Sequence, residues 1–206
     1  MPEVASPDHH AAHARQLLDA LAALLVSEGH SVTHNAGIER CRKTLQSAVL
    51  QLAGKGERVA PPTAIRAWFD TAMADARGTA PQVDRVIDSI YALLPHADWM
   101  QRQAAPGQDD HFVDRHRHAM LVGPTAPIAC ATLTLGVAVM APQVTYPFHQ
   151  HPPEEFYIVL SEGEWYQEGR GWWSPGCGGI VHNEPSIVHS MRSAEKPLLA
   201  LWGLLL

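Results

Sequence analysis

"HQHPPEEFYIVLS", residues 149–161, decides how the second half of the chain is read. His149 and His151 are two positions apart, and side chains at i and i+2 of a strand share a face, so both imidazoles can approach one ion. Pro152-Pro153 bends the chain and lets Glu155 return a carboxylate to the same point. From Glu155 onward "EFYIVLS" has the aromatic and β-branched composition of a strand. One further donor would complete a ligand set for a divalent transition metal and still leave positions open for water or substrate. His189, in "PSIVHS", is the best downstream candidate.

The neighbouring polar residues receive blander assignments. Glu154 points to the face opposite Glu155 and is expected in solvent. His182 is expected as a strand residue that does not bind the ion. His116 and His118 repeat the HxH spacing without a following Glu, and with His111 they read as an outer strand.

Outward from the opening stretch, short apolar runs separated by Gly and Pro continue in both directions: "HFVDRHRHAMLVG", "IACATLTLGVAVM", "VTYPFH", "EWYQE", "GGIVHN", "SIVHSMRS" and "PLLALWGLLL". Evenly spaced short strands predict an antiparallel sandwich or small barrel. The first hundred residues have a different period. Leu17, Leu18, Leu21, Leu24 and Leu25, then Ile38, Cys41, Leu45, Val49 and Leu52, recur at helical spacing. Ser6-Pro7, Gly29, Asn35 and Gly54 punctuate these two helices. "PPTAIRAWFDTAMADARG" and "TAPQVDRVIDSIYALLPHADW" predict a third and fourth, each opened by Pro, the last stopped by Pro95. The expected organisation is a helical region over 1–102, the connector "QRQAAPGQDD", and a β-barrel over 111–206, with the helices packed against the barrel.

Composition narrows the function. In 206 residues, 46% are hydrophobic, enough for a substantial core. A net charge of −6 without a basic run argues against nucleic acid and against an anionic membrane surface. The densest positive cluster in the helices is only "ERCRK", which also disfavours a DNA-binding module fused to a sensor barrel. Three widely spaced cysteines, Cys41, Cys130 and Cys177, predict no disulfide and a reducing compartment. Neither a leader pattern nor an apolar span is evident, so the expected location is cytoplasmic. His9, His10 and His13 sit in a polar lead-in and are expected to be solvated.

HxH, three residues, Glu155, a strand, Gly163, and then "GIVHNEPSIVH" with Gly179, Pro185 and His189 resemble the two motifs of the cupin superfamily. The sequence departs from that pattern at Ile187, where Gly is usual, and in one extra residue before Gly163. The resemblance implies a mainly β fold: a C-terminal jelly-roll barrel, here preceded by α-helices, that binds a metal inside through His149, His151, Glu155 and His189. The ion would be Zn, Fe, Mn, Co or Ni, and His149 would be either a ligand or a substrate contact. A homodimer is compatible with the sequence.

Tyr146, Tyr157 and the helical half narrow the resemblance. "TYPFHQHPPEEFYIVLS" with "PSIVHS" is similar to the cupin-type lyases of dimethylsulfoniopropionate (DMSP), which release dimethyl sulfide and acrylate. The implied substrate carries a carboxylate and a sulfonium. Tyr157, two residues past Glu155 and so on its face, is the first choice of base, with Tyr146 second. Trp165, Trp172, Trp173 or Trp202 could hold the sulfonium by cation–π attraction. The competing expectations are a metal-dependent dioxygenase or isomerase, and a cupin that binds a small ligand without turning it over.

Overall fold

The computed structural model describes residues 7–26, 36–53 and 60–206. Helices α1 (Pro7–Leu24), α2 (Ala36–Ser47), α3 (Thr63–Ala76) and α4 (Pro81–Leu93) lie where helical spacing puts them. The apolar faces of α1 and α2 are buried at Leu17, Leu18, Leu21, Leu24, Leu25, Ile38, Cys41 and Leu45. Pro81 occupies the first turn of α4, where a missing N–H leaves no hydrogen bond unmade. Past Leu93 the chain tightens into a 3-10 turn containing Pro95. The helix ends expected at Ser6, Gly29, Asn35 and Gly54 lie outside the described residues.

Two expectations about this half are corrected. Val49 and Leu52 do not extend α2: the helix stops at Ser47, Val49 is 70% exposed, and Leu52 belongs to a short strand, β1 (Gln51–Leu52). The helical spacing of the apolar residues simply outruns the buried stripe. His10 is not a solvated lead-in residue, because α1 has already begun at Pro7 and the His10 ring stacks 3.5 Å from that of His96. His13 is half-buried and hydrogen-bonds Gln16, while the side chain of His9 lies outside the described residues.

The remaining strands are β2 (Asp98–Met100), β3 (His116–Val122), β4 (Ile128–Ala129), β5 (Leu133–Met140), β6 (Glu155–Val159), β7 (Glu164–Gln167), β8 (Gly171–Trp173), β9 (Ile180–Asn183), β10 (His189–Arg192) and β11 (Leu198–Leu205). Among the described residues they form two sheets: β1-β4-β3-β5-β11-β6-β9 with β2 beside β3, and β10-β7-β8. This is a mainly β region preceded by helices, in the expected order. "VTYPFH" contributes two isolated bridges rather than a strand, Thr145 to Arg192 and His149 to His189. Pro147 has no N–H to extend them. Strand β8 was not anticipated; Gly169, at φ 81°, supplies the left-handed residue that turns β7 back into it.

Along the central strands the two faces enter two different cores. Leu133, Leu135, Val137 and Val139 of β5, Phe156 and Ile158 of β6, and Leu199 and Leu201 of β11 pack with the helices. The alternate residues Ala138, Met140, Tyr157, Val159, Leu198, Ala200 and Trp202 fill the barrel interior. Because helices cover the outer face, these strands carry continuous apolar runs instead of alternating with polar residues. The outer face of this sheet is therefore a protein interior, which matters for the charged residues that point into it.

Candidate active site

His149 and His151 sit on the loop entering β6, Glu155 begins β6, and His189 begins β10. The His149 N–H donates to the His189 carbonyl at 3.1 Å and the His189 N–H to the His149 carbonyl at 2.9 Å, which fastens the two motifs together. One ring nitrogen each from His149, His151 and His189 lies within 4.8 Å of the other two. Glu155 Oε2 lies 3.0 Å from His189 Nε2 and 3.4 Å from His151 Nε2. All four expected ligands converge at one point.

The tautomers suit a metal. Nδ1 of His149, His151 and His189 lies 2.9 Å from the carbonyl oxygen of Pro147, Pro153 and Ile187 respectively. A carbonyl only accepts, so each Nδ1 carries the proton and each Nε2 keeps its lone pair for an ion. His189 Nε2 is buried and makes no hydrogen bond of normal geometry. An unpartnered lone pair beside a buried carboxylate fits a divalent cation. Glu155 is oriented by Asn183, whose Nδ2 donates to Oε2 at 3.0 Å, and Gln167 Nε2 donates in turn to Asn183 Oδ1 at 2.6 Å. Burial favours the neutral Glu155 carboxyl, but hydrogen bonds and charge from His151 and His189 overcome it and bring its pKa down to about 2, an effect that needs a proton on the facing Nε2 atoms, whose place a bound ion would take. Burial, with the His189 ring beside it, brings His149 down to about 3. At neutral pH the carboxylate is charged and His149 is a free base.

His149, His151 and Glu155 open into a cavity of about 220 Å³ lined also by Met100, Arg102, His118, Tyr146, Tyr157, Met191, Trp202 and Leu204. Tyr157 follows Glu155 by two and shares its inward face, as the strand period requires. Burial and then the Glu155 charge push its phenol well above 10, against the pull of Arg102. Tyr146 is also raised by burial, with Arg102 acting against it. Tyr146 Oη lies 3.4 Å from His118 Nε2. Of the four tryptophans considered, Trp202 lines the cavity. Arg170 covers the Trp173 ring at 3.7 Å and Arg192 the Trp172 ring at 4.2 Å, so both already face a protein cation. Trp165 is buried behind Tyr157 with ring centroids 6.3 Å apart. Trp202 fits because its cross-strand neighbour is Gly136, where a Cβ would come within 2.5 Å of the indole.

Glu154 requires correction. It points away from the ion pocket as expected but is buried, not solvated, since α2 covers that face. Arg40 grips it through Nε at 2.9 Å and Nη2 at 2.6 Å, and His182 Nε2 meets Oε1 at 2.6 Å. Cys41 lies close enough to complete a Cys-Glu-His group. The carboxylate is already saturated by Arg40, however, and burial followed by the Glu154 charge pushes the Cys41 thiol up to about 12. That group is a structural network. His182, on β9, faces this side of the sheet, away from the ion pocket.

His116 and His118 are likewise not on an outer surface. Both point into the barrel from β3, while His111 is exposed. Burial holds His116 well below its ordinary pKa and brings His118 down to about 4. Their same-face spacing was visible in sequence, but the side of the sheet was not. Arg102, Asn183 and Gln167 were not anticipated. Asn183 is found only through its register opposite Glu155 on β6, and Arg102 comes from a connector with no periodicity.

A family model described as dimethylsulfoniopropionate lyase matches residues 33–200. The dimethylsulfoniopropionate lyase DddQ of Ruegeria pomeroyi is 32% identical over 115 residues, covering 55% of this chain and 57% of that protein. The match thus spans little more than half of the curated relative. The crystal structure of DddQ from Ruegeria pomeroyi DSS-3 superposes with a TM-score of 0.64 at 23% identity, over 94% of this chain and 91% of that one. A chain from the crystal structures of the DMSP lyases RdDddP and RnDddQII gives 0.65 at 20% identity, over 95% and 93%. At these identities the superpositions establish a shared fold. Among the described residues, no helix is long and apolar enough to cross a membrane.

Proposed function

The chain belongs to the dimethylsulfoniopropionate lyase family, and from that premise we propose that it cleaves DMSP to dimethyl sulfide and acrylate by β-elimination. The observation that carries this reading is the clustering of His149, His151 and His189 with Glu155 beside a single small cavity that two tyrosines and one indole also line. His149, His151, Glu155 and His189 would hold one divalent ion, Zn, Fe, Mn, Co or Ni. Such an ion supplies a Lewis acid that draws charge from the substrate carboxylate and makes the adjacent C–H acidic enough to ionise.

The chain's own groups do the rest. Tyr157 Oη is the base that removes the proton from the carbon next to the carboxylate, and Tyr146 positions the substrate beside it. The electron pair released forms the double bond of acrylate as the C–S bond breaks, and neutral dimethyl sulfide leaves. Before that step the Trp202 face holds the sulfonium, an attraction of about 0.5–2 kcal/mol. The Gln167–Asn183 chain orients the Glu155 carboxylate toward the ion position.

Headspace detection of dimethyl sulfide from protein reconstituted with each metal tests the proposal. Release is expected with at least one metal, and chelation should abolish it. No release with any of the five, or undiminished release from Glu155→Ala, would remove the lyase reading.

A further inference from the structure

Arg102 lies two residues past β2, and its side chain lines the cavity. Its Cζ sits 4.9 Å from the Tyr146 ring centroid and 6.0 Å from that of Phe112, so aromatic faces hold the side chain over the pocket. Its Nη1 is buried and has no hydrogen-bond partner, and among the described residues Arg102 makes no ion pair. Arg40, Arg42, Arg66, Arg77 and Arg192 each pair with a carboxylate. Glu155 is the other charged residue lining the cavity, and its Oε2 already faces His151, His189 and Asn183. The guanidinium also meets the Tyr146 hydroxyl, but the buried Nη1 donor is costly to leave unsatisfied, and a carboxylate is a strong acceptor for it.

We propose that Arg102 is the anion anchor of the cavity: it binds the carboxylate of the substrate and confines the site to small carboxylate-bearing molecules. The second consequence is orientation. A fixed cation in the cavity wall attracts the anionic end of a zwitterion and repels its sulfonium, so the substrate is held in one orientation, with the positive end left for the Trp202 face. A carboxylate has two oxygens, so pairing with Arg102 does not exclude contact with the ion. The substrate's name rests on the lyase reading, but the carboxylate class rests on Arg102 itself.

The test uses the metal-loaded full chain and calorimetric titration with acrylate and with acrylamide, its uncharged counterpart. Wild-type protein should bind acrylate at least tenfold more tightly than acrylamide. Arg102→Met removes the guanidinium at similar side-chain length and should weaken acrylate binding and shrink that preference, while Arg102→Lys should retain more of it. In the lyase assay, Arg102→Met should raise KM for DMSP at least tenfold and change kcat less. Equal acrylate affinity in wild type and Arg102→Met overturns the anchor, as does failure of wild type to prefer acrylate. Metal content is read on each variant, and loss of the ion from Arg102→Met also counts against it, because Arg102 would then serve the ligand set. An acrylate preference that depends on Arg102 without dimethyl sulfide release sustains the anchor and overturns the lyase reading alone.

Discussion

Tyr157 and Asn183 separate two kinds of contribution to the same pocket. The phenol touches the reacting carbon's proton in the proposed reaction, whereas the amide acts through Glu155. Tyr157→Phe should therefore lower dimethyl sulfide release by about 10²–10⁴-fold, the usual worth of a positioned base, with bound metal unchanged. Asn183→Ala should do the reverse first, weakening metal affinity by about 10–100-fold in competition with a chelator, with activity restored at excess metal. The clustering of the candidate ligands was legible because their spacing encodes a shared face. Asn183 was not, because its importance arises from register across a strand pair that no local pattern reports.

At the scale of elements, the contact between α2 and the outer face of the larger sheet deserves the closest test. A Cβ on Gly37 would lie 2.1 Å from the His182 ring and 2.9 Å from Glu154 Oε1, both members of the Arg40 network. Gly37→Ala should destabilise the protein by about 1–3 kcal/mol through overpacking, read from the urea midpoint. The outer-face position of Glu154 was readable from strand alternation, but its burial was not. Alternation assigns a residue to a face and says nothing of what covers that face; only the packing of α2 onto it turns an expected surface carboxylate into a buried ion pair. The same missing information put His116 and His118 outside a barrel they face into.

For the whole molecule, those two histidines set a pH limit. His118 stays neutral down to about 4 in the folded chain, and His116 is held lower than its ordinary value as well, both chiefly by burial. In the unfolded chain each takes up a proton near its ordinary pKa of about 6.5. Between those values the unfolded state binds more protons, so stability is fully present above about pH 6.5 and is lost as pH falls. For His118 the loss is complete near pH 4 and amounts to about 3 kcal/mol. Urea midpoints measured from pH 7 to 4.5 should fall, with a shallower slope in His118→Gln; equal slopes in the two proteins would contradict the assignment. The helical-then-β organisation was plain from the change of period near residue 100. The covering of one sheet by the helices, which makes these strands apolar on both faces, is a property of the assembled molecule.

The paired hydrogen bonds between His149 and His189 also bear on how the protein acquires its site in time. They join segments separated by the whole of β6 to β9, a contact made late when a chain must first close a long loop. Ion affinity should therefore be absent from early compact states and appear with the final barrel closure. In a refolding experiment with a metal whose spectrum changes on imidazole binding, that signal should follow the slowest folding phase, and its arrival in the earliest phase would show that the two motifs meet before the barrel does.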